Sequence, residues 1–276
     1  GFTSDFLIAT GATVQVDQPI AFHSLVIGDG VGNVATTVVL KAGIKEGSGK
    51  ILVRKGGQLI QANNLPQTLS GDLVVGEGGL LTHMENKAEK EYQLNFKAQN
   101  IILEPGAIIN AAARGYSGGE TGQSGKGKAE GKYTGKSASG GKHIFDTVRH
   151  PRELGSGGAG SRSTKGGAGG GIVNLVAQKE FSINGVITAD GAAGTAASDD
   201  SFDAGGGAGG SIYLAAAKFT GTGAVITATG GSGNKTGGAG GGGRIHLVAP
   251  AGKISGTINA NGGSGQDSGA GSVIIE

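Results

Sequence analysis

The sequence predicts an all-β fold, a single-stranded, right-handed parallel β-helix (β-solenoid) with glycine-rich loops on one edge. The first observation behind this prediction is a unit that occurs four times in the C-terminal part of the chain, where a glycine run leads directly into an alternating apolar strand. The runs span residues 166–171, 205–210 and 237–243, and a shorter one starts at Gly269. Units that repeat in this way stack on one another and share one core.

The second observation is the composition. Glycine accounts for 60 of the 276 residues, yet there is no every-third-residue spacing and only five prolines are present, which excludes collagen. Apolar residues reach 37% and alternate with polar ones, so a core can form and disorder is not expected. The right-handed coil follows from the crossover rule for parallel strands.

The N-terminal solenoid rungs are predicted over residues 1–113. A shorter signature recurs there, in which an apolar residue, two others, a glycine, two others and an apolar residue follow one another. Glycine at the corner suits a turn with positive φ, and the alternation on either side suits short strands. The copies are centred on Gly11, Gly56, Gly78 and Gly106, with a looser copy at Gly30.

Residues 114–171 interrupt the pattern and are predicted to form a long basic insertion loop, rich in Gly, Ser and Lys, that leaves the solenoid at one corner. Between Arg114 and Lys165 there are ten Lys/Arg and four Asp/Glu, a local charge of 10 − 4 = +6 in a chain of net charge +2. Such a segment suits an anionic cell-surface polysaccharide, while a solvated linker is the alternative. The candidate ligand-binding residues are Lys126, Lys128, Lys132, Tyr133, Lys136, Lys142, Arg149 and Arg152.

Residues 172–276 are predicted to continue the same solenoid as glycine-rich repeats, which gives about eight to ten rungs in all. Val173, Ile212, Ile245 and Val273 occupy equivalent positions in strands whose apolar residues recur at a spacing of two, so they share an inward face. The glycine runs allow two interpretations. They are either flexible loops or extended three-fold chains that lie side by side and form lateral hydrogen bonds.

No catalytic residue is predicted. The histidines lack the spacing of a zinc site, no serine lies in a nucleophile elbow, and no glycine run fits a phosphate loop. The chain contains no cysteine, which excludes disulfides and thiolate metal ligands. One tight carboxylate cluster is a candidate for a structural Ca²⁺ site, with a solvated loop as the alternative. Its members are Asp199, Asp200 and Asp203.

The repeats also resemble those of known proteins. The segment Gly-Gly-Ala-Gly-Gly-Gly-Gly-Arg-Ile-His-Leu, followed by Gly-Thr-Ile-Asn-Ala-Asn-Gly-Gly, is similar to the glycine-rich repeats of large bacterial surface and secreted proteins. This resemblance covers residues 166–276 and implies a pectin-lyase-like right-handed β-helix. Residues 7–62, with Ala-Thr-Gly-Ala-Thr-Val-Gln-Val-Asp and Ile-Leu-Val-Arg-Lys-Gly-Gly-Gln-Leu, resemble the start of a G8-type extracellular β-helical module. Neither resemblance supplies catalytic residues.

The expected function is that of a non-enzymatic structural or adhesive module that is extracellular or on a bacterial cell surface. A net charge of +2 does not predict a nucleic-acid partner, and no apolar stretch approaches the roughly 20 residues of a membrane span. Open solenoid ends present unpaired strand edges, so copies of the chain are expected to stack end to end into a filament. The residues expected at this contact are Phe2, Phe6, Ile8, Val273, Ile274 and Ile275.

Two alternatives to this function remain. The chain starts with Gly1 rather than Met, which fits a processed product or a fragment whose ends are covered by neighbouring segments of a longer solenoid. The second alternative is a carbohydrate-active β-helix that either binds or cleaves polysaccharide, because solenoid active sites are assembled across rungs and leave no local motif.

Overall fold

In the computed structural model, the described residues are 2–9, 11–32, 34–127, 140–141, 147–197, 203–233, 236–266 and 268–276. Within these ranges the chain forms strands and no helix, and every strand pair is parallel. The strands lie in three sheets, which confirms the predicted all-β parallel solenoid. In chain order the strands are β1 (Asp5–Ile8), β2 (Thr13–Val16), β3 (Ser24–Ile27), β4 (Thr36–Leu40), β5 (Lys50–Val53), β6 (Gly57–Gln61), β7 (Gln67–Thr68), β8 (Leu73–Val75), β9 (Leu80–His83), β10 (Leu94–Ala98), β11 (Ile101–Leu103), β12 (Ile108–Asn110), β13 (Ile172–Ala177), β14 (Glu180–Ile183), β15 (Val186–Thr188), β16 (Ser211–Ala215), β17 (Lys218–Thr220), β18 (Ala224–Thr227), β19 (Arg244–Val248), β20 (Gly256–Asn259) and β21 (Ser272–Ile275).

The three sheets form the three faces of the solenoid. Face A has the strand order β1-β3-β5-β8-β11-β14-β17, face B has β2-β4-β6-β9-β12-β15-β18-β20, and face C has β7-β10-β13-β16-β19-β21. The chain visits the faces in turn, so the eight strands of face B correspond to eight turns of the coil. In the first two turns the third side is marked by a single bridge between Ile20 and Ile44.

The core consists of apolar columns that run through the stacked strands. On face C, Val173 pairs with Ile212, Ile212 with Ile245 and Ile245 with Val273, which confirms the predicted column. Because alternate residues point to opposite sides of a strand, each inward position meets its equivalent in the next turn. Phe181 and Phe219 are neighbours within face A, with their ring centroids 6.0 Å apart and their ring planes tilted by 46°.

Glycine at the corners between faces A and B has the positive φ that the sequence predicts. The φ angles are 68° at Gly11, 76° at Gly56, 67° at Gly78 and 80° at Gly106. Residues that carry a Cβ rarely adopt this backbone conformation. The corner signature in residues 1–113 is therefore a geometric requirement of the turn.

The glycine runs are ordered. The six N–H groups of residues 205–210 bond, in order, to the carbonyl oxygens of Ala159, Gly238, Ala192, Ser156, Gly241 and Ala189 at 2.7–2.9 Å. Every third N–H thus points to the same neighbouring segment, as in an extended chain with three residues per turn and no internal hydrogen bonds. The interpretation as flexible loops is wrong, and the interpretation as laterally bonded three-fold chains is confirmed.

We call this region the glycine bundle. At many of its glycines the chains pack so closely that a side chain has no room. A Cβ built on Gly207 would lie 2.0 Å from the carbonyl oxygen of Ala168, and one on Gly240 would lie 1.9 Å from that of Gly207. Glycine is thus required here by close backbone approach. The bundle comprises residues 115–119, 140–141, 155–161, 166–171, 189–194, 204–210, 228–233, 237–243, 260–263 and 269–271.

Much of the described insertion belongs to this bundle. Residues 154–161 are buried, and the Gly155 and Gly158 N–H groups donate to Gly170 and Gly167, both at 2.9 Å. Residues 140–141 are also buried, and Gly141 donates to Gly206 at 2.9 Å. These parts of residues 114–171 therefore do not leave the solenoid at its corner. They fold back onto the glycine-rich side and form part of the glycine bundle.

Candidate functional site

The N-terminal opening of the solenoid exposes core positions. Phe6 and Ile8 on β1 and Val14 and Val16 on β2 belong to the inward columns of faces A and B, and Phe6 is 44% exposed. Together with Ile20 they line an apolar groove of about 470 Å³. In the following turns the equivalent positions are filled by the next rung. The groove is the mouth of the core in its first turn.

The C-terminal opening exposes the same kind of positions. Val273 and Ile275 pair with Ile245 and Leu247, which places them in inward columns, yet they are 41% and 61% exposed. Ile274 lies between them and therefore belongs to an outward column. Among the residues predicted for self-association, Phe6, Ile8, Val273 and Ile275 thus lie at the openings of the core.

The remaining two predicted contact residues lie elsewhere on the surface. Phe2 precedes β1, is exposed, and its ring lies beside Gly47 of the second turn. Ile274 shares the outward column of face C with His246. These two side chains border the openings without lining them.

A strap, residues 147–154, crosses the outer surface of face C. The His150 ring stacks on Tyr213 with centroids 5.1 Å apart and meets His246 edge-on at 6.1 Å. His246 is buried beneath it, and its Nδ1 donates to the Arg149 carbonyl, which can only accept. Its Nε2 has no hydrogen-bond partner and lies 3.6 Å from Glu276 Oε2, while Arg149 Nη1 lies 2.5 Å from Glu276 Oε1.

Further contacts fix the C-terminal half of the strap. Ser211 Oγ donates to the Glu153 carbonyl at 2.6 Å, and Lys90 Nζ donates to the Arg152 carbonyl at 3.1 Å. Leu154 is buried where the strap joins the glycine bundle. No local pattern in the sequence marks this element, because its partners lie far away in the chain.

The strap accounts for two of the predicted ligand-binding residues. Arg149 is paired with Glu276, and Arg152 lies in the strap beside Glu153. Lys126 is exposed, and its backbone bonds to Ser117 and Gly157 within the bundle side of the molecule. The other predicted ligand-binding residues, Lys128, Lys132, Tyr133, Lys136 and Lys142, lie outside the described residues.

The predicted Ca²⁺ cluster is described only at Asp203. This buried carboxylate accepts hydrogen bonds from the Ala197 N–H at 2.8 Å and from the Thr236 N–H at 3.2 Å. Asp199 and Asp200 lie outside the described residues. The structure, over the ranges it describes, contains no group of three or more His, Asp or Glu side chains suited to a metal ion.

Asp190 is an anchor that sequence analysis missed. Its Oδ2 accepts from the hydroxyls of Thr188 and Thr227, both at 2.8 Å, and its Oδ1 accepts from the Thr229 N–H at 2.5 Å. Thr188 and Thr227 are paired neighbours on face B. The sequence pattern that could have predicted this contact is a pair of threonines at equivalent repeat positions, one of which is followed two residues later by an aspartate.

His83 lies where β9 meets the bundle. Its Nδ1 donates to the Met84 carbonyl at 2.7 Å, and its Nε2 accepts from the Ile172 N–H at 3.3 Å. Burial, with a smaller contribution from the Arg114 charge, lowers the pKa of His83 to about 3, although the hydrogen bond to Met84 acts in the opposite direction. The ring is therefore a neutral structural side chain at neutral pH.

None of the described residues forms a helix long and apolar enough to cross a membrane. Comparisons of the chain with protein-family models, with curated proteins and with solved structures found no match. The resemblance of residues 166–276 to bacterial glycine-rich repeats and of residues 7–62 to a G8-type module therefore stays an expectation from the sequence.

Proposed function

We propose that this protein is a non-enzymatic structural module of an extracellular or cell-surface assembly, and that its copies stack end to end. The observation that carries the proposal is the exposure of inward core columns at both openings of the solenoid. Phe6 and Ile8 form one apolar lip, and Val273 and Ile275 form the other. Open ends of this kind template further strands unless they are covered.

Burial of the apolar side chains at the two lips contributes a free energy of the size expected for a reversible contact. Fully burying a large aliphatic or aromatic side chain contributes about 1.5–3 kcal/mol. The four side chains are on average less than half exposed, so burying what remains exposed contributes about 3–5 kcal/mol. Association costs on the order of 4–15 kcal/mol in lost rigid-body freedom. Hydrogen bonds between the strands of adjoining turns add to the favourable side, so we expect assembly that depends on protein concentration.

The rest of the molecule suits a load-bearing role. The core is continuous through eight turns, and the glycine bundle is held by backbone hydrogen bonds rather than by flexible side chains. The likeness of the repeats to those of bacterial surface proteins supports placement outside the cell.

The proposal is tested by sedimentation velocity and electron microscopy of the purified chain over a range of concentrations. We expect filaments or a concentration-dependent series of oligomers. Phe6→Lys at one opening and Ile275→Lys at the other are each expected to abolish them, because a charge would have to be buried in the joint. Leu65→Lys is the matched control, since Leu65 is 48% exposed in the third turn, away from both openings.

Circular dichroism serves as the check that each variant retains its strands. A chain that stays monomeric at all concentrations, or oligomers that persist in both charged variants, would overturn the proposal.

A further inference from the structure

The first and last strands of face B carry matching side chains. β2 contains Thr13, Val14 and Gln15, and β20 contains Thr257, Ile258 and Asn259. The pairing register through the sheet places these three residues of β2 in the same columns as the three residues of β20, in the same order. The two ends of the sheet thus present a hydroxyl, a β-branched aliphatic side chain and an amide in the same order.

We infer that β20 of one molecule pairs in parallel with β2 of a second copy, with Thr257 beside Thr13, Ile258 beside Val14 and Asn259 beside Gln15. This inference rests on the proposed end-to-end stacking and specifies its register. The occupant of the N-terminal groove is then the last turn of another copy of the chain.

The expected column contacts have precedents within the protein. Asn174 Nδ2 donates to Asn95 Oδ1 at 3.1 Å across neighbouring strands of face C, which is the contact expected between Asn259 and Gln15. Aliphatic pairs such as Ile187 and Ile226 fill the column that Ile258 and Val14 would continue. A one-residue slip would turn every inward side chain outward, so the core fixes the register.

The other two faces are compatible with the same joint. On face A the column of Phe6 ends at Phe219 and is continued by a bridge to Gly252, which brings no side chain of its own. The Phe6 ring of a second copy therefore has space at this position. On face C, Ile275 continues an inward column and would cover the groove near Ile20.

The joint has a direction. All strands are parallel, so the surface that carries β2 differs from the surface that carries β20. A contact between unlike surfaces is heterologous and repeats without limit unless the rotation closes a ring. The register therefore predicts a polar filament.

The absence of cysteine from the chain permits a direct test by disulfide trapping. In the double variant Thr13→Cys/Thr257→Cys, the two positions of one molecule are seven strand spacings, about 34 Å, apart, so no internal disulfide can form. Across the joint their Cα atoms would lie about 4.8 Å apart, within the range that a disulfide requires. Both positions are exposed.

The matched control is Gln15→Cys/Thr257→Cys, because Gln15 is also exposed on β2 but lies two residues along the strand. Its Cα distance across the joint would be about 8 Å, beyond the limit of about 7 Å for a disulfide. We expect a covalent ladder of dimers, trimers and longer species from the first variant under mild oxidation, and at least tenfold less from the control.

The outcomes separate the register from the proposed function. Equal ladders in both variants, or a stronger ladder in the control, would overturn the register while sedimentation still shows stacking. Oligomers without any disulfide ladder would place the joint elsewhere and overturn the inference alone. A chain that remains monomeric would overturn the inference and the proposed function together.

Discussion

The close packing of the glycine bundle predicts that a single methyl group is poorly tolerated at Gly240. A Cβ at this position would lie 1.9 Å from the carbonyl oxygen of Gly207, so the backbones must separate by about 1.5 Å to reach ordinary contact at 3.4 Å. That movement breaks the hydrogen bond from Gly240 to Gly231 and the one from Gly231 to Gly207, which are 2.9 and 2.8 Å long.

The magnitude follows from these two bonds. Each lost bond leaves a buried peptide group unsatisfied at a cost of about 1–3 kcal/mol. The alanine also lowers the entropy of the unfolded chain, which returns about 0.4–1 kcal/mol. We expect Gly240→Ala to reduce the free energy of unfolding by about 2–4 kcal/mol, as measured by guanidinium titration followed by circular dichroism.

Gly269→Ala is the matched control, because Gly269 belongs to the same bundle and no heavy atom lies within 4 Å of its ideal Cβ. The free energy of unfolding of this variant is expected to lie within about 0.5 kcal/mol of that of the parent protein. If both variants shift the unfolding midpoint equally, or if neither does, close backbone packing is not what requires glycine in the bundle.

Two further predictions concern buried histidines. In the unfolded chain His83 binds a proton below about pH 6.5, whereas in the folded chain it binds one only near pH 3. Protonation of the unfolded chain therefore lowers the free energy of unfolding by about 3 kcal/mol between pH 6.5 and pH 4, and above pH 6.5 this loss is absent. His83→Gln, which repeats the residue at Gln61 in the preceding turn, should remove that component of the pH dependence, and an unchanged difference between midpoints at pH 7 and pH 4 would contradict this account. His246→Ala removes the hydrogen bond to the Arg149 carbonyl and should speed tryptic cleavage after Arg149 about 5- to 30-fold, the equivalent of 1–2 kcal/mol. Unaltered cleavage would show that His246 does not hold the strap.

The solenoid could be predicted from the sequence because its signals are local. The positive φ of Gly56 and the alternation of Leu52 and Val53 are visible within a few residues, and repetition then sets the register. The same logic identified the face C column through Val173 and Ile245.

The strap and the return of the insertion could not be predicted in this way. Arg149 and His246 are 97 residues apart, and their contact depends on a backbone carbonyl that no side-chain pattern marks. Residues 155–161 are buried through backbone hydrogen bonds, so they show neither helical nor strand periodicity. Their high glycine content fits a packed chain and a solvated linker equally well.

Ile274 shows how a finer assignment depends on register. The sequence predicts self-association contacts at three consecutive apolar residues of β21, but the pairing of β21 with β19 places only Val273 and Ile275 in inward columns. Alternation within the strand contained this information once the partner of one residue was known.

The directions of the hydrogen bonds in the glycine bundle determine how the molecule resists tension. An edge strand of a sheet has partners on one side only, so a pulling force can unzip it one bond at a time. The run 205–210 is instead tied to three different neighbours in rotation, and no single direction of pull loads its bonds in sequence. A force on this run is therefore shared among three neighbouring segments rather than carried by one strand partner.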